Sequence, residues 1–153
     1  MVNTEIGPGL EVIFSAFLSV FIAQFIKFIH TYIVKKKFDF KVLATTGGMP
    51  SSHTSGTVAL TTSVGLISGF SSVEFAIALG FTLIVMYDAA GLRRSAGQMA
   101  ALLNKMVDDY YTDKRTRHHH ERLMEVLGHT PFEVLVGALF GVFIAYFVHY
   151  GVF

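Results

Sequence analysis

LEVIFSAFLSVFIAQFIKFIHTYIV, residues 10 to 34, holds Glu11 near its start, Lys27 near its end, and little else that is polar. A helix over this run is long enough to cross about 30 Å of hydrocarbon at roughly 1.5 Å per residue. The run is too long for a signal-peptide core, and no Lys or Arg precedes it. It therefore reads as a membrane span that stays in the mature protein.

The rest of the chain agrees with that reading. Of 153 residues, 52% are hydrophobic and only 15% charged, well below the roughly 25% charged of soluble domains. The length suits one domain, residues 1–153. A formal net charge of +1 excludes the large basic excess of a nucleic-acid binder. Cysteine is absent, which removes disulfides, thiolate metal sites and a cysteine nucleophile.

Further spans follow at about 54–70, 72–90 and 132–153. Ser71 and Ser72 leave only a tight turn between the second and third, so these form an antiparallel hairpin. The long polar connection, about 91–130, contains Met99, Leu102, Leu103, Met106, Val107 and Tyr110 at the spacing of one helix face. That pattern predicts an amphipathic helix, lying in the membrane interface or packed on the ends of the spans. GALFG, residues 137–141, is a helix-packing signal. The predicted fold class is all-α: an integral membrane bundle of about four transmembrane helices plus one amphipathic helix.

Orientation follows from the cations. All twelve Lys and Arg lie between Lys27 and Arg122, with Lys27 near the end of the first span and the others in the 35–52 and 91–130 connections. Placing both connections in the cytoplasm, and both termini outside, satisfies the positive-inside rule.

Three polar stretches then meet the same membrane face. GGMPSSHT (47–54) opens the second span. Its glycines, Gly48 among them, free the backbone; Ser51 or Ser52 can cap the helix, and the first-turn N–H groups form an anion site. DAAGLRR (88–94) ends the third span and sets Arg93 and Arg94 beside Asp88. LGHTPFE (127–133) opens the fourth and sets His129 four residues before Glu133. Arginine forks suit phosphate oxygens, and histidine serves as nucleophile or general acid.

PSSH at 50–53, with DAAGLRR and LGHTPFEV in this order, resembles the divergent branch of the type 2 phosphatidic acid phosphatases, relatives of the vanadium haloperoxidases. The resemblance covers about residues 20–150. It implies hydrolysis of a phosphate monoester or pyrophosphate through a phosphohistidine, with no metal and no cofactor. It casts His129 as nucleophile and His53 as the acid that protonates the leaving oxygen. Glu133 would stand where the family has Asp, orienting the nucleophilic imidazole. Arg93, Arg94, Ser51 and Ser52 would hold the phosphoryl group; Lys27 would match the family's first-motif lysine, and Asp88 and Gly48 would support the site. The implied partners are a lipid phosphate and the surrounding lipids, in a bacterial cell membrane with the site facing the cytoplasm.

The departures are specific. Glu121-Arg122 stands where the family has Ser-Arg, at a longer spacing from His129, so the phosphate arginine is either Arg122 or the 93–94 pair. The first motif's Arg-Pro is absent. The chain offers fewer spans than the usual family core, so either the amphipathic helix completes the site or a second subunit, in a homodimer, does. Other readings of the same residues are local. Glu133 could close a capping box on Thr130 and never touch His129. Arg93 and Arg94 could be lipid anchors, and Lys27 could snorkel to the interface. Gln24 could bond between helices, Asp88 could pair with either arginine, and His118–His120 read as a solvated stretch rather than a metal site. The rival functions are a non-catalytic protein that binds a phospholipid headgroup or a partner through this basic pocket, and a transporter, whose polar groups would sit nearer mid-membrane.

Overall fold

The computed structural model describes residues 7–36, 48–110, 122–125 and 128–153. Among them are five helices: α1 (Pro8–Lys35), α2 (Ser52–Ser68), α3 (Val73–Ala90), α4 (Leu92–Tyr110) and α5 (Pro131–Gly151). His118–His120 and Glu121 lie outside the described residues.

The helix starts are written locally. Pro8 and Pro131 occupy first-turn positions of α1 and α5, where a missing N–H costs nothing. Ser51 caps α2 by accepting from the Thr54 N–H, and Ser72 caps α3 by accepting from the Phe75 N–H. α2 ends at Gly69, and the turn folds Phe70 back edge-on to Phe75, with ring centroids 5.2 Å apart. The hairpin expected between the second and third spans is therefore α2–α3.

α2 is the centre of the bundle. It packs against α1, α3 and α5, while α1 also meets α5. The three outer helices turn phenylalanine, isoleucine and leucine outward, among them Phe17, Phe21, Ile77, Ile84, Leu139 and Phe143. All three are long and apolar enough to cross a bilayer, α3 being continuous with α4 by that measure. α2 is shorter, at 17 residues, and buries serine, threonine, glycine and alanine. Small residues let backbones approach, which in lipid replaces the hydrophobic drive that holds soluble cores.

Two glycines show how close that approach is. A Cβ on Gly137 would sit 2.7 Å from the Ser51 carbonyl oxygen, and one on Gly141 would sit 2.4 Å from that of Ser55. The GALFG stretch is thus the seam between α5 and α2. On the other side of α2, Thr61 and Thr82 share a 2.8 Å hydroxyl bond, and the Thr82 hydroxyl donates to the Thr57 carbonyl at 3.0 Å. Membrane hydrogen bonds of this kind are worth about 0.6 kcal/mol on average.

α4 departs from one of its two expected arrangements. Met99, Leu102, Leu103, Met106 and Val107 are exposed rather than packed on the span ends; the buried positions are Gly97, Ala100 and Asn104. Gly97 lines a cavity shared with Gly128, His129, Thr130 and Glu133, and Asn104 bonds the 122–125 segment.

Candidate active site

Three helix ends converge because their backbones are tied together. The Ser51 N–H donates to the Glu133 carbonyl at 3.3 Å, joining the starts of α2 and α5. The His129 N–H donates to the Ala89 carbonyl at 2.9 Å, joining the approach to α5 with the end of α3. Gly128 makes this possible twice over. Its φ is +81°, and a Cβ there would lie 2.4 Å from the Arg94 nitrogen. GGMPSSHT, DAAGLRR and LGHTPFE therefore meet in space, although Gly47 and Leu127 lie outside the described residues.

His129 is 3% exposed. Its Nδ1 lies 3.2 Å from Glu133 Oε2. The same carboxylate oxygen accepts the Thr130 N–H at 2.9 Å, while the Thr130 hydroxyl accepts the Glu133 N–H at 3.3 Å. The capping box and the histidine contact are thus one arrangement. An ionised carboxylate only accepts, so an imidazole bonded to it carries its proton on Nδ1. The Nε2 lone pair is then free, and Nε2 is buried with no hydrogen-bond partner among the described residues. Burial pushes the His129 pKa below its ordinary 6.5; the Lys27 charge adds to that and the Glu133 carboxylate opposes it. The net direction favours the neutral ring.

Lys27 does not snorkel. It is 4% exposed and donates to the Ser52 hydroxyl at 3.3 Å. That contact brings α1 to the start of α2 and places an ammonium within electrostatic reach of His129 and Glu133. The Ser51 hydroxyl accepts the α2 cap bond from the Thr54 N–H, which leaves its own O–H to donate.

His129 is a wall shared by two cavities. One, of about 270 Å³, is lined by His53, Ile84, Val85, Asp88, Ala89, Arg93 and His129. The other, of about 460 Å³, is lined by Gly48, Arg94, Gln98, Glu125, Thr130 and Glu133 among others. The adjacent arginines therefore part company, Arg93 to the side of the two histidines and Arg94 to the other. Arg93 Nε donates to Asp88 Oδ2 at 2.7 Å, which leaves its terminal amino groups to face an anion. Arg122 lines neither cavity and pairs instead with Asp108 at 2.5 Å.

Several residues that line or brace the cavities were invisible in the sequence. Asn104 grips the 122–125 segment, donating to the Leu123 carbonyl and Glu125 Oε1 at 2.8 Å each and accepting the Leu123 N–H at 3.0 Å. Its only signal was a polar residue off the apolar stripe of α4. Ile84 and Val85 read simply as span. Among the described residues no three His, Asp or Glu side chains gather closely enough to hold a metal ion.

The profile of the divergent PAP2 family matches residues 10–144. The chain belongs to the divergent PAP2 family. This divergent PAP2 protein is 37% identical over 145 residues to the uncharacterised membrane protein YuiD of Bacillus subtilis (strain 168), covering 89% of this chain and 92% of the relative. No solved structure matches it. The relative is named only as a membrane protein, and the relation to phosphatases comes from the family's description alone. The relative's name carries no reaction, so the chemistry of this divergent PAP2 protein rests on its own residues.

Proposed function

We propose that this protein hydrolyses a lipid phosphate, monoester or pyrophosphate, through a phosphohistidine formed on His129, without a metal. The observation that carries the reading is the orphaned Nε2 of His129, whose Nδ1 is held by Glu133 beside a cavity that also contains His53 and Arg93. In the first step Nε2 attacks phosphorus while the bond to the leaving oxygen breaks, and His53 gives that oxygen its proton. In the second, His53 takes a proton from water as the water oxygen attacks phosphorus. The P–N bond breaks, and inorganic phosphate and neutral His129 are restored. Glu133 stabilises the imidazolium character that develops in between.

Charge stabilisation comes from Arg93 and from the first-turn N–H groups of α2, strengthened by the buried ammonium of Lys27 nearby. A lipid substrate is supported by the cavity's apolar lip. Ile84 and Val85 lie about one turn from Asp88 along α3, and Ile84 is exposed on the outer face. A headgroup can sit among the polar groups while its chains stay in hydrocarbon. The crowding of cations into the two polar connections supports a cytoplasmic site.

One observation favours a second reading, a pocket that binds a phospholipid headgroup without hydrolysis: Arg93 is already partly neutralised by Asp88. Phosphate release from a panel of lipid phosphates by purified protein, wild type against His129→Ala, decides between them. Turnover that is lost in the variant, blocked by vanadate and indifferent to EDTA supports the phosphohistidine. Binding without release in the wild type supports the pocket, and activity that disappears with EDTA defeats the metal-free route.

A further inference from the structure

α4 has three sides, and only one of them is satisfied by the protein. Gly97, Ala100 and Asn104 face inward and are buried. Lys105 and Asp109, with Gln98 about two turns before Lys105, occupy a polar exposed side. The third side is the run Met99, Leu102, Leu103, Met106 and Val107, each between 39% and 59% exposed. Five large apolar side chains aligned on one face of an α-helix are not left to water without a partner.

We infer that this face is seated in the membrane leaflet on the side of the two polar connections, so that α4 lies along the boundary between headgroups and acyl chains. Three observations choose lipid as the occupant. The outer face of α3, with Phe81, Ile84 and Tyr87 exposed, is an apolar surface on a membrane span, and only Gly91 separates that helix from α4. The apolar surface therefore runs on without a break, through exposed Leu92, into the stripe. Cations stand beside it, Arg93 and Arg94 at the start of α4 and Lys105 on its polar side, and such residues favour an anionic leaflet surface. The fully apolar side is also narrow and bounded by a charged side, the pattern of a helix that lies on a membrane rather than crossing one.

The seating has a consequence for the larger cavity. Arg94, Gly97, Gln98 and Ala101 of α4 line it, and Asn104 holds the segment that brings Glu125 there. A leaflet that fixes α4 also fixes one wall of that cavity at headgroup depth. None of this depends on hydrolysis at His129.

The absence of cysteine permits a direct test. Single-cysteine variants Met106→Cys and Lys105→Cys, each carrying an environment-sensitive fluorophore, are placed in nanodiscs of phosphatidylcholine and phosphatidylglycerol with brominated acyl chains. The Met106 probe should be quenched by the bromines and shielded from aqueous iodide, and the Lys105 probe should show the reverse. A Met99→Cys variant, at the other end of the stripe, should match Met106 and so guard against a local effect of one substitution. If both faces are quenched equally by iodide, the stripe lies in water and the inference fails. If the Met106 and Met99 probes are shielded from iodide but untouched by bromine, protein covers the stripe, a second copy being the first suspect, and the inference fails in that direction instead.

Discussion

Two histidine–glutamate pairs stand at opposite ends of this bundle, and the shorter contact is the one away from the cavities. At one end His149 Nδ1 meets Glu11 Oε1 at 2.7 Å, tying the end of α5 to the start of α1 across 138 residues of sequence. At the other, His129 Nδ1 meets Glu133 Oε2 at 3.2 Å, four residues apart. The side chain of His129 is 2% exposed and that of His149 27%. His129 borders two cavities with a second histidine and two arginines near, whereas His149 packs on the Tyr150 ring and lines neither cavity. The same two side chains, bonded through the same nitrogen, are a clasp in one place and a cavity wall, the proposed nucleophile, in the other. Surroundings separate them, not the bond.

The comparison breaks most sharply at the histidines. His129→Ala should lower phosphate release by a thousandfold or more, on the order expected when a covalent nucleophile is lost. His149→Ala should leave turnover near wild type. Equal losses in the two variants would mean that the pairs share a structural role.

The carboxylates come next. Glu133→Gln should cost roughly 100-fold in kcat, since an amide can bond the ring but cannot stabilise the charge it gains. Glu11→Gln should spare kcat and lower the melting point in detergent, by about 1 to 2 kcal/mol of stability for a charge-assisted bond. A kcat loss in the Glu11 variant would show that the two ends communicate.

The pH profile gives a smaller, signed effect. With His129 held below its ordinary 6.5, the acidic limb of kcat/KM should fall below that pH, because the free enzyme keeps its nucleophile neutral further into acid. Lys27→Met removes a cation that depresses the His129 pKa and should move the limb to higher pH. The same depression has a stability counterpart. This contribution is full above pH 6.5 and is lost as pH falls from there through the folded value, since the unfolded chain takes up the proton first. Thermal melts from pH 7.5 to 5 should show that loss in the wild type and less of it in His129→Ala.

The arginines give the finest distinction. Arg93→Gln should depress kcat, on the order of 100-fold for a transition-state donor. Arg94→Gln, altering the cavity that lacks His53, should do less to kcat. Equal kcat losses would return the two arginines to a single clamp.

What could be read from the chain alone was whatever neighbours in sequence decide. Helix starts at Ser51, Ser72 and Thr130 are written by a hydroxyl that reaches the backbone three residues on. The apolar runs announce membrane helices, because a bilayer leaves the backbone no partner but itself. The three polar stretches carry the family, and their order survives without any knowledge of packing. The tertiary structure decided everything that needed a second helix. Lys27 is buried rather than snorkelling because the start of α2 brings the Ser52 hydroxyl to it. Arg93 and Arg94 separate because Gly128 inserts His129 between the cavities they line. α4 turns its small residues inward and its methionines and leucines outward, which an amphipathic pattern read for a soluble core would reverse. Glu11 and His149 gave no signal at all, since a bond across 138 residues exists only once two antiparallel helices have settled side by side. Local hydrogen bonds and hydropathy are properties of a segment, whereas the partner of a buried charge belongs to the packing.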